Sequence, residues 1–197
     1  MLLDSPSDHE VEGALATECD VLYAMFANFE LSGLTKHIRL GCARTLKQKR
    51  PYPYAAQFVH LAGHATDEGL WMLGEVVDWA TVAKSLSGWF APLKPGGERI
   101  LNFSCCDSER AAKACATRLR PFFSGAYFFR ERNIGFAKSC AAWTLFFYLQ
   151  GQRQTQVHFQ SARQVNQFLR AEELRYLPYH DSYVPIDHES IKLLESL

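Results

Sequence analysis

"ILNFSCCDSERAAKACATRL" (residues 100–119) decides the fold. Ile100 to Phe103 form an apolar run too short for a helix, as a strand covered on both faces reads. After two cysteines the period changes. Ala111, Ala112, Cys115 and Leu119 recur at three- and four-residue intervals, the spacing of one helix face. A buried strand thus passes directly into an amphipathic helix.

The same alternation runs outward from this stretch. Upstream, "AAQFVHLAG" (55–63) reads as a second buried strand, with turn formers in "GHATDEG" (63–69) and a short strand in "LWML" (70–73). "VDWATVAKSLSGWF" (77–90) has Val77, Val82, Leu86, Trp89 and Phe90 on one helical side, and "KPGGE" (94–98) is a turn. "MLLD" (1–4) and "KHIRLG" (36–41) read as strands, and "RTLKQKR" (44–50) as a short helix ended by prolines. Ser7 and Glu10 have capping-box spacing ahead of a helix through Val11, Ala14, Leu15, Val21, Leu22 and Met25. Downstream, "GAYFFRE" (125–131) is a strand and "IGFAKSCAAWTLFFYLQ" (134–150) a long apolar helix. "SARQVNQFLR" (161–170) and "HESIKLLESL" (188–197) read as helices joined by an irregular "YLPYHDSYVPID" (176–187). Strands that alternate with helices predict an α/β fold in one domain, 1–197. Parallel neighbours need crossovers, so its central sheet is mostly parallel, with helices on both faces.

Composition narrows the function classes. The chain has 197 residues, of which 48% are hydrophobic and 21% charged, enough apolar material for a sizeable core. Zero formal net charge argues against a generally basic nucleic-acid surface, and "KQKR" (47–50) reads as a solvated helix face. No glycine-rich phosphate loop follows any strand. "CAAWTLFFYL" (140–149) is about half the length that crosses a bilayer. The opening "MLLDSPSDHE" turns polar too soon for a secretory leader. Cysteines at 19, 42, 105, 106, 115 and 140 include no C-x-x-C pair, so they read as reduced thiols in a cytoplasmic protein.

Two strand ends then carry chemistry. His64 follows the strand "FVHLA" (58–62), and Cys105 and Cys106 follow "ILNF" (100–103). In an open parallel sheet, ligands bind beyond the carboxyl ends of the strands. If these strands are neighbours, imidazole and thiol meet at one edge. The imidazole can take the thiol proton, hold the resulting ion pair and protonate a leaving amine. The helix start after Asp107 and Ser108 favours a thiolate just ahead of it. Alternation sends Cys105 and Cys106 to opposite sides, so one faces His64 and the other the core. His60 reads as a buried, supporting histidine. His60, His64, Cys105 and Cys106 would make four zinc ligands by count, but adjacent cysteines rarely reach one tetrahedral ion, and the expectation is no metal and no cofactor. Asp67 and Glu68 read as solvated loop residues. Asp67 and Asp107 would alternatively line an acidic rim that selects a basic residue in the substrate.

"VHLAGHA" (59–65) resembles the strand-plus-histidine motif of caspase-like cysteine peptidases, especially the CHAT group of the caspase–separase clan. "FSCCDS" (103–108) is similar to that group's cysteine motif, with Cys106 at the nucleophile and Asp107 at the acid. A frame shifted by one makes Cys105 the alternative nucleophile. Phe147 and Tyr148 match an aromatic pair that ends the helix after the site. The resemblance covers roughly residues 1–150. It implies a three-layer caspase-like fold and a thiol protease with a His64–Cys106 dyad. It also implies an oxyanion held by the backbone N–H groups of Ala65 and Cys106. Ala65 stands where the group has glycine, and would be strained if the site needs a positive φ. The implied function is limited cleavage of a protein partner, with or without a regulatory partner, in bacterial antiviral defence or programmed cell death. Processing of a gasdermin-like pore former is one such role. The alternative is a catalytically inactive caspase-like interaction module.

Overall fold

Two separate apolar clusters, one on each face of a central sheet, hold the molecule together. The structure is a computed structural model that describes residues 1–6, 17–29, 32–152, 158–170 and 173–180. In chain order the strands are β1 (Leu2–Ser5), β2 (His37–Arg39), β3 (Phe58–Gly63), β4 (Gly69–Met72), β5 (Glu75–Asp78), β6 (Ile100–Ser104), β7 (Gly125–Phe129) and β8 (Leu174–Pro178). The helices are α1 (Glu18–Asn28), α2 (Ala43–Lys47), α3 (Trp79–Trp89), α4 (Ser108–Leu119), α5 (Phe136–Gln152) and α6 (His158–Leu169).

Six strands form the sheet in the order β2-β1-β3-β6-β7-β8. All neighbours are parallel except β8, which runs antiparallel to β7. Period-two alternation sorts the side chains. Val59, Leu61, Leu101 and Phe103 face the layer of α2, α3 and α4, against Leu46, Val82, Leu86, Ala111 and Cys115. Leu2, Ile100 and Tyr127 face α1, α5 and α6, against Leu22, Trp143, Phe146 and Val165. The result is a three-layer α/β fold with a mostly parallel sheet, because strands buried on both faces must be covered on both.

Three local readings change. The irregular reading of 176–187 fails at its start, since Tyr176, Leu177 and Pro178 belong to β8. That strand ends on a proline and lies at the sheet's edge, where a missing N–H is tolerated. Glu75–Asp78 adds β5, which closes an antiparallel hairpin with β4 before the α3 helix begins. The helix near the N-terminus is described from Glu18, after a capping box in which Thr17 Oγ1 accepts the Asp20 N–H (3.2 Å) and Asp20 accepts the Thr17 N–H (3.0 Å). Ser7, Glu10, Val11, Ala14 and Leu15 lie outside the described residues, as does "HESIKLLESL". Among the described residues no helix is long and apolar enough to cross a membrane.

Candidate active site

The β3–β6 register sets the geometry. The two strands are parallel neighbours, and their last paired residues are Ala62 and Ser104. His64 and Cys106 each lie two residues further on, so both leave the same edge of the sheet at the same height. One strand spacing, about 4.8 Å, separates the two exits.

Each exit is shaped by its own turn. Gly63 ends β3 with φ +154, where a Cβ would meet the Ser5 carbonyl oxygen at 2.7 Å. Beyond it, the His64 carbonyl accepts the Trp71 N–H (2.9 Å), and the Thr66 N–H donates to Gly69 (2.9 Å). These two bonds fold residues 64–71 back on themselves around an Ala65–Leu70 bridge. They use the groups flanking Ala65, so the Ala65 N–H is not consumed by the bridge. Among the described residues only Asp107 and Arg170 are non-glycine residues with positive φ, so Ala65 carries no such strain. The His64 side chain is exposed.

On the β6 side, adjacent cysteines part company. Cys105 is 3% exposed and packs in the cluster beneath α3 and α4. Burial first, and the Cys106 thiol next, push the Cys105 thiol well above its ordinary value. Cys106 is only partly buried, at the rim. Burial, then the charge of Asp107, raise its thiol too, while the backbone N–H groups of Ile134 and of Cys106 itself pull the other way. Asp107 turns the chain in the left-handed region (φ 51), and α4 starts immediately after it. Ser108 fixes that start, donating to the Phe129 carbonyl (3.2 Å) and accepting the Phe129 N–H (3.0 Å).

The rim carries paired charges. Asp67 accepts from Arg110 (3.0 Å), which ties the His64 turn to the first turns of α4. Asp107 accepts from Arg132 Nε (2.8 Å). The acidic rim expected from Asp67 and Asp107 is therefore one in which each carboxylate already faces a guanidinium.

Beneath the rim lies a buried polar chain. His60 is fully buried, with its Nε2 2.7 Å from Glu18 Oε1 and its ring edge-on to Trp143. Ser139 donates to the other Glu18 oxygen, Ser104 Oγ is 2.6 Å from Ser139 Oγ, and Trp143 Nε1 donates to Ser104 (2.8 Å). This chain ends on Ser104, two residues before Cys106. His60 and Cys105 lie on opposite faces of the sheet, so the four-ligand zinc set does not converge. Glu18, Ser139 and Arg132 carry no spacing signal that marks them in the sequence, since they come from separate elements joined only by the fold.

The chain matches no protein-family model, and no curated protein matches its sequence.

Proposed function

We propose that this chain is a caspase-like cysteine endopeptidase of the CHAT type, with Cys106 as nucleophile and His64 as general base. One observation carries the reading: an imidazole and a thiol leave neighbouring parallel strands two residues beyond a common register pair. In this reaction His64 takes the Cys106 proton and the sulfur attacks a peptide carbonyl. The tetrahedral oxyanion sits near the N–H groups of Ala65 and Cys106. His64 then protonates the leaving amine, and water attacks the acyl-enzyme to release the acid product. Partial exposure supports Cys106 over Cys105, because a sulfur sealed in the core cannot meet a peptide. The substrate class is a protein partner cut at a limited site, in the defence or cell-death setting that the sequence resemblance implies.

An electrophilic peptide ketone followed by mass spectrometry tests this. An adduct on Cys106, absent on Cys105 and lost in His64→Ala, supports the enzyme. No adduct on either cysteine overturns it in favour of a caspase-like interaction module. One observation favours that second reading: the Cys106 thiol is raised above its ordinary value, which lowers the thiolate fraction at neutral pH.

A further inference from the structure

The backbone after β7 is tied to the residue that follows Cys106. The Ile134 N–H favours the ionised sulfur, and the Asp107 N–H donates to the Arg132 carbonyl at 2.8 Å. Arg132 Nε returns a bond to Asp107 Oδ1, also at 2.8 Å. Arg132 and Asp107 thus hold each other by main chain and side chain together. The first residues of the segment are anchored. Arg130 N–H donates to the Glu173 carbonyl (2.7 Å), and Lys138 pairs with Glu131 and with Glu173 (3.4 Å).

The helix start adds a second observation. An aspartate at the N-cap position normally accepts an N–H from the first turn. Asp107 makes no such side-chain cap, and its carboxylate turns to Arg132 instead. Asp107 is 9% exposed, whereas the Arg132 side chain is 65% exposed. The clasp therefore has a buried half and a half that solvent or another molecule reaches.

We propose that residues 130–135 are a strap that shields Cys106, and that the Arg132–Asp107 clasp is its catch. Closed, the strap narrows access to the sulfur and slows its reaction with electrophiles without abolishing it. Opened at Arg132, it uncovers the thiol. The regulatory meaning rests on Cys106 being the nucleophile. The shielding itself is a property of the thiol and stands apart from any peptidase activity.

Alkylation of the full chain by iodoacetamide at fixed pH, read at Cys106 by mass spectrometry, tests the strap. Electrostatics and shielding predict opposite signs for Arg132→Ala. Removing the cation unmasks the Asp107 charge, which raises the thiol further and slows alkylation. Opening the strap speeds it. The expected result is a rate roughly fivefold faster, the factor for losing a contact of about 1 kcal/mol. Arg118→Ala, which removes an exposed cation from α4, leaves the rate unchanged. Amide exchange at Asp107 and Ile134 speeds up in Arg132→Ala alone. A slower or unchanged alkylation rate, or unchanged exchange at both amides, overturns the proposal. The acceleration persists in a His64→Ala background. Loss of peptide-ketone labelling in the unaltered chain would sink the protease reading and leave the strap standing.

Discussion

His60 Nε2 and Glu18 Oε1 are 42 residues apart in sequence and 2.7 Å apart in the fold, both sealed beneath α5. The pair bolts α1 to β3, and through Ser139 and Ser104 it reaches the end of β6. A polar group sealed from water is costly without its partner, so removing one member of such a pair leaves the other stranded. Glu18→Leu and His60→Leu should each cost about 3 kcal/mol in urea unfolding. Glu18→Leu combined with His60→Leu should cost much less than the sum of the two single changes. Simple additivity would show that the two side chains do not stabilise each other.

The layered sheet was readable in the sequence because its signals are local. The period changes once within residues 100–119, and Val59, Leu61, Leu101 and Phe103 alternate as strands buried on both faces must. The shared edge for His64 and Cys106 was read on the condition that their strands are parallel neighbours, and the β3–β6 register meets that condition. What escaped was set by contacts between distant segments. β8 reads as a loop in isolation because "LRYLP" becomes a strand only against β7. The tie of Asp107 to Arg132 and that of Glu18 to Ser139 join residues with no shared period. Thr17 and Asp20 did carry a local capping-box signal, which the apolar spacing of the surrounding residues obscured.

Three thiols sealed in the core make stability fall in alkali. Cys19 and Cys105 are held well above their ordinary values, and burial pushes Cys115 up to about 12 from 9.0. Above about pH 9 the unfolded chain releases these protons while the folded chain keeps them. The unfolded state then binds fewer protons, so stability declines as pH rises. The contribution is present in full below about pH 9. Each thiol should remove about 1.4 kcal/mol between pH 8 and pH 10. Urea midpoints at the two pH values measure this. Cys115→Ala should be less stable at pH 8 yet show a shallower decline, and an equally steep one counts against the assignment.

Gly63 is placed where only glycine fits. A Cβ there would lie 2.7 Å from the Ser5 carbonyl oxygen and 2.8 Å from the Ser5 Cβ, at a φ that L side chains avoid. Gly63→Ala must push β1 away from β3 or rotate the chain just before His64. We expect a loss of about 2 kcal/mol in unfolding free energy and at least a tenfold loss of peptide-ketone labelling, because roughly 1 Å of misplacement can cost that much or more. Wild-type labelling in a folded Gly63→Ala chain would mean that the exit of His64 does not depend on this glycine.

The titration of Cys106 is the most direct probe of the rim. Burial is the main reason its thiol stands above the ordinary value, and the Asp107 carboxylate is the next. A like charge nearby disfavours the thiolate, so neutralising that carboxylate must lower the midpoint. The rate of iodoacetamide labelling at Cys106 should therefore rise with pH and reach half its plateau above the usual thiol value of about 8.5. Asp107→Asn removes the charge, which favours the ionised sulfur. Its midpoint should fall relative to the unaltered chain. An unchanged midpoint in Asp107→Asn would mean that the carboxylate does not act on the sulfur, and would leave burial alone as the cause of the raised thiol.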